Sequence, residues 1–74
     1  MKVTLEPTDR TVTLNGVPAR IWQGTTEHGI PCHAYITRIG VERTEDSSEF
    51  EIALQETAPL RPELAAVIPT RLML

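Results

Sequence analysis

Arg10-Thr11-Val12-Thr13-Leu14-Asn15-Gly16-Val17-Pro18-Ala19-Arg20-Ile21-Trp22 is the stretch that decides the fold. An Asn-Gly pair tolerates the two positive φ angles of a type I′ turn, the turn whose twist matches two paired antiparallel strands. A two-residue loop at Asn15-Gly16 sets Leu14 opposite Val17, Val12 opposite Ala19 and Arg10 opposite Ile21. Strand side chains alternate between faces, so Val12, Leu14, Val17, Ala19 and Ile21 share one face while Thr11, Thr13, Arg20 and Trp22 take the other. Pro18 has no N–H to donate, which places its strand at a sheet edge or a bulge.

The flanking segments extend the same pattern. Lys2 to Glu6 alternates Val3 and Leu5 with polar residues and predicts a first strand, broken by Pro7-Thr8-Asp9. The polar stretch Gly24 to Gly29 predicts a second hairpin leading into an extended run from Ile30 to Val41, with a bend at Gly40. Five Val, six Ile and ten Thr favour sheet, because restricted χ1 suits a pleated surface.

The second half of the chain reads differently. Phe50, Ile52 and Leu54 alternate as a strand would, yet Phe50, Ala53, Leu54 and Thr57 also form a helical stripe. Asp46-Ser47-Ser48-Glu49 has the form of a capping box, and Glu, Ala, Leu and Gln are good helix formers, so a helix is predicted near 47–57, stopped by Pro59. Pro62 opens a one- or two-turn helix ended by Pro69, and Thr70 to Leu74 is expected to dock as a final strand, since a loose apolar tail would expose a sticky patch. The expected fold is α+β: a small antiparallel sheet of four or five strands with one packed helix, in a single domain over residues 1–74. A small all-β barrel is the alternative if residues 48–57 are extended.

Composition excludes several functions. The chain has 74 residues, of which 41% are hydrophobic, enough for one thin core and too little to enclose a large cofactor; none is expected. Seven basic against ten acidic residues give a net charge of −3, and Lys2 is the sole lysine. A duplex-binding domain needs a basic face to displace condensed counterions, so direct nucleic-acid binding is not expected. The longest apolar run, Leu64 to Ile68, falls far short of the roughly 20 residues that span a bilayer, and the N-terminus lacks a signal-peptide core. With one cysteine, Cys32, the chain reads as cytoplasmic. A thin core and an exposed strand edge point to self-association, most simply a dimer.

Motifs of known chemistry are absent. His28, Cys32 and His33 offer three candidate ligands where structural zinc takes four, and in an extended strand Cys32 and His33 point to opposite faces. A thiol nucleophile at Cys32 would lack a glycine-rich oxyanion loop. A metal- or thiol-dependent enzyme centred on Cys32 and His33 is thus the minor reading, and a non-enzymatic protein the main one. Residues 42–56 carry a local charge of −5, including Glu45, Asp46 and Glu49, which suits a solvated helix face or an acidic decoy for a nucleic-acid-binding protein. Trp22 and Arg20, side by side on the face away from the aliphatic stripe, are residue types enriched at interface hot spots. Protein-contact candidates are therefore Arg20, Trp22, Glu45, Asp46 and Glu49.

Ala19-Arg-Ile-Trp-Gln-Gly-Thr-Thr26, Gly29-Ile-Pro31, Ile36-Thr-Arg-Ile39 and the ending Ile68-Pro-Thr-Arg-Leu-Met-Leu74 resemble short uncharacterised reading frames of bacteriophages and prophages. The resemblance covers most of the chain and brings no catalytic residues with it. It implies a phage accessory or host-interaction protein.

Overall fold

In the computed structural model, which describes residues 1–42, 47–69 and 72, the chain runs through strands β1 (Val3–Leu14), β2 (Val17–Thr26) and β3 (Pro31–Ile36), then helices α1 (Ser47–Gln55) and α2 (Pro62–Val67). The strands form one antiparallel sheet in the order β1-β2-β3. Asn15 and Gly16 both have positive φ, 49° and 81°, as the type I′ turn requires. Leu14 pairs with Val17 and Val12 with Ala19, the register set by that turn.

Beyond Thr11 the register changes. Thr11 faces Arg20, and pairing resumes at Pro7 opposite Trp22, so Thr8, Asp9 and Arg10 together oppose Ile21 alone. The expected pairing of Arg10 with Ile21 is replaced by a bulge, and Pro7-Thr8-Asp9 does not end the strand. Two terminal hydrogen bonds explain why. Thr26 N–H donates to Ile30 C=O and Glu27 N–H to Lys2 C=O, each at 2.9 Å. Antiparallel ladders alternate, so even-numbered residues of β2 bond toward β3 and odd-numbered ones toward β1. Pro7, opposite even-numbered Trp22, sits where β2 asks for no N–H, and its C=O accepts from Ala58 N–H at 3.0 Å on the outer side. Ile21 C=O points at the bulge and takes a side-chain donor there. Thr8 Oγ1 fills that role, donating to Ile21 C=O at 2.7 Å and accepting from Arg10 N–H at 3.2 Å. Thr8 is fully buried for this reason.

β2 is the central strand, which corrects the expectation drawn from Pro18. Pro18 is tolerated because β3 stops at Ile36, opposite Arg20, and leaves the β3 side of β2 open beyond that point. The extended run expected through Val41 ends at Ile36 for the same reason: β2 has no further donors to offer.

The core lies on one face of the sheet. Val12, Ala19 and Ile21 from the strands meet Leu64 and Ile68 from α2 and its end, with Leu14, Tyr35, Leu60 and Leu72 packed against them. Pro62 starts α2 without cost, since a first-turn N–H has no helical partner. Gln23 holds this helix to the sheet. Its side-chain amide donates to Pro59 C=O and accepts from Arg61 N–H, both at 3.0 Å, so one buried glutamine reads the chain as a neighbouring strand would.

Among the described residues, the sheet of four or five strands with one packed helix is therefore replaced by three strands and two short helices, and the all-β barrel is excluded because residues 47–55 are helical. Two strands in the expected tally, Lys2 to Glu6 and Arg10 to Leu14, are one bulged strand. Of the expected C-terminal strand, Leu72 lies in a turn, its N–H donating to Pro69 C=O at 3.0 Å; Thr70, Arg71, Met73 and Leu74 lie outside the described residues. No described helix is long and apolar enough to cross a membrane.

Candidate functional site

Alternation puts Arg20 and Trp22 on the face opposite the core, with Ile36 and Ala34 beside them from β3. The C-terminal end of α1 comes to this face, fixed by Arg20, whose Nη1 donates to Leu54 C=O at 2.9 Å. That carbonyl belongs to the last helical turn, where four C=O groups lack intrahelical partners and positive charge complements the helix dipole. α1 is otherwise shallow: Phe50 and Leu54 are half-buried, and Ile52 is 60% exposed.

Between sheet and helix end lies an open groove of about 560 Å³. Trp22, Ile36, Ile39 and Leu54 supply its apolar lining, and Asp9, Arg20 and Arg38 its charge. Trp22 is half-buried, neither sealed in a second core nor standing free. Arg38 is exposed and makes no hydrogen bond or ion pair among the described residues. The arrangement offers an aromatic platform, aliphatic walls and one uncommitted guanidinium, which suits an apolar side chain next to an acidic group.

The remaining sequence candidates do not gather here. Glu49 is exposed in the first turn of α1, where a negative charge complements the helix N-terminus. Glu45 and Asp46, the latter the expected capping residue, lie outside the described residues. Cys32 and His33 occupy adjacent positions of β3, opposite Gly24 and Gln23 respectively, and so belong to opposite faces. His33 Nε2 instead lies 3.3 Å from Tyr35 Oη, with the rings edge to face at 5.3 Å. His28 is exposed, 3.8 Å from Glu27. Among the described residues no three His, Cys, Asp or Glu side chains come together to hold a metal ion.

A second hollow of about 520 Å³ follows β3 and α2, lined by Pro31, Cys32, His33, Arg61, Leu64 and Val67 among others. Arg61 is held over the sheet by contacts of 3.5 Å from Nη2 to the C=O groups of Gly24 and Cys32. Sequence reasoning missed Arg38, Ile39 and Thr8. Arg38 and Ile39 fall in the run that reads as strand; alternation alone keeps Arg38 on the face of Ala34 and Ile36, whereas Ile39 lines the groove because the strand stops at Ile36. Comparison with protein-family models, curated proteins and solved structures finds no match.

Proposed function

We propose that this chain is a non-enzymatic protein-interaction module, a cytoplasmic accessory or host-interaction protein of the kind the phage resemblance implies. Its contact surface is the Trp22 groove, and its partner a protein segment carrying an apolar residue flanked by a carboxylate. The observation that supports this most is the pairing of a half-buried tryptophan with an uncommitted arginine, Arg38, in an open groove. Tryptophan and arginine contribute most where an anchor is desolvated at the centre of an interface. Arg20 acts indirectly, by holding α1 as one wall.

Selection of a random peptide library against the full chain tests this reading. Enriched peptides are expected to share an acidic residue beside apolar ones, to change the emission of Trp22, the sole tryptophan, and to bind at least tenfold more weakly to Arg38→Ala and Ile39→Asp. Both substitutions are at exposed positions outside the core. Peptides that bind both variants as tightly as wild type would refute it.

A further inference from the structure

The two edges of the sheet are built differently. β1 carries Glu6, Asp9 and Arg10, kinks at its bulge, and is partly covered by a parallel bridge between Thr8 and Ala58. These are the devices by which proteins discourage edge-to-edge pairing. β3, Pro-Cys-His-Ala-Tyr-Ile, has no Asp, Glu, Lys or Arg and no bulge. The ladder alternation derived above turns the backbone groups of Cys32, Ala34 and Ile36 toward β2. It leaves those of His33 and Tyr35, and the C=O of Pro31, facing outward. No backbone partner meets them among the described residues.

The molecule also has more surface than its mass requires. Its accessible area is 5788 Å², whereas a compact monomer of this mass exposes about 4,500 Å². Its radius of gyration is 13.3 Å, against about 11 Å for a compact chain of this length. The surplus exceeds the roughly 800 Å² that each partner buries in a standard stable interface.

We propose that two copies of this chain pair through β3, antiparallel about a two-fold axis at Ala34, to give one continuous six-stranded sheet. In this register His33 and Tyr35 of one copy exchange backbone hydrogen bonds with Tyr35 and His33 of the other, and Pro31 C=O accepts from Thr37 N–H of the second copy. Proline's missing donor is then not needed inside the ladder. Moving the axis to His33 sets Pro31 opposite Tyr35 and removes a donor from each end, so the Ala34 axis is favoured. No like charges oppose each other. Tyr35 of the second copy comes to lie beside the hollow between β3 and α2, where Val67 is 65% exposed. The contact abuts the Trp22 groove at Ile36 and Thr37 but uses neither Trp22 nor Arg38, and it holds whether or not that reading does.

Sedimentation equilibrium of the full chain, combined with oxidative cross-linking, tests the pairing. Wild type is expected to sediment as a dimer of 8.2 kDa chains, and His33→Pro, which removes an outward N–H and none used by β2, as a monomer. In Cys32→Ser/Ala34→Cys the two introduced thiols face each other in a non-hydrogen-bonded pair, with Cα atoms about 4.5 Å apart. That lies within disulfide range, so a covalent dimer is expected on mild oxidation. Wild type, whose Cys32 lies opposite Ile36 of the second copy, is expected to stay uncross-linked. A monomer at every concentration, or a dimer in which Ala34→Cys fails to cross-link while native Cys32 succeeds, overturns the proposal. Should His33→Pro not fold, the cross-linking result decides alone.

Discussion

Thr8 does with a hydroxyl what a strand does with its backbone. Its Oγ1 answers Ile21 C=O at the point where β1 bulges away, and takes Arg10 N–H in return. Thr8→Val keeps the shape and removes both bonds, taking the hydroxyl donor from Ile21 C=O and the acceptor from Arg10 N–H, a loss of about 1–3 kcal/mol. Thr8→Ser is expected to retain most of the stability. Urea unfolding of both variants checks this; equal midpoints would show that the hydroxyl is not what closes the bulge. Gly24 is the second such position. A Cβ built there would overlap the C=O of Thr4 in the neighbouring strand. The obstacle is backbone within a ladder and has no rotamer to yield, so Gly24→Ala is expected to abolish the far-ultraviolet signature of folded sheet under native conditions. A folded Gly24→Ala would mean that β1 and β2 lie further apart than the contact between Gly24 and Thr4 C=O allows.

At the scale of elements, Gln23 decides where α2 sits. Both ends of its amide are used, by Pro59 C=O and Arg61 N–H, and the residue is 4% exposed. Gln23→Leu fills the space but strands both partners, and is expected to cost about 2 kcal/mol or more and to speed amide exchange in residues 61–68 before that in β1 and β2. Uniform exchange across sheet and helix would contradict this order. The first hairpin was legible because two independent signals coincide there: the Asn15-Gly16 turn and the alternation of Val12, Leu14, Ala19 and Ile21. The helix over 47–55 was legible from its helix formers, and α2 from Pro62. The bulge was not, since nothing local shows that Thr8 can stand in for a backbone donor or that Pro7 falls on a silent rung of the ladder. Reading Pro18 as an edge marker failed because an edge is a property of the neighbouring strand's length, and β3 ends two rungs before Pro18. Of the candidate site, Trp22 and Arg20 were found from the alternation of β2, and Arg38 was open to the same argument along β3; Ile39 depended on where β3 stops.

At the scale of the whole molecule, the sheet's two faces are put to different uses. One is closed by α2 and contains every buried apolar side chain among the described residues, Val12, Ala19, Ile21, Leu64 and Ile68. The other meets the end of α1 and keeps an open groove over Trp22. A chain of this size builds one thin core, and spending it on a single face leaves the second face available to a partner. The most direct test is a chemical-shift map of the isotope-labelled chain titrated with a peptide selected against it. The account expects the largest shifts at the Trp22 indole N–H and at Ile36 to Ile39, with Val12, Ala19 and Leu64 unmoved; shifts centred on Cys32, His33 and Leu64, with Trp22 unchanged, would contradict it.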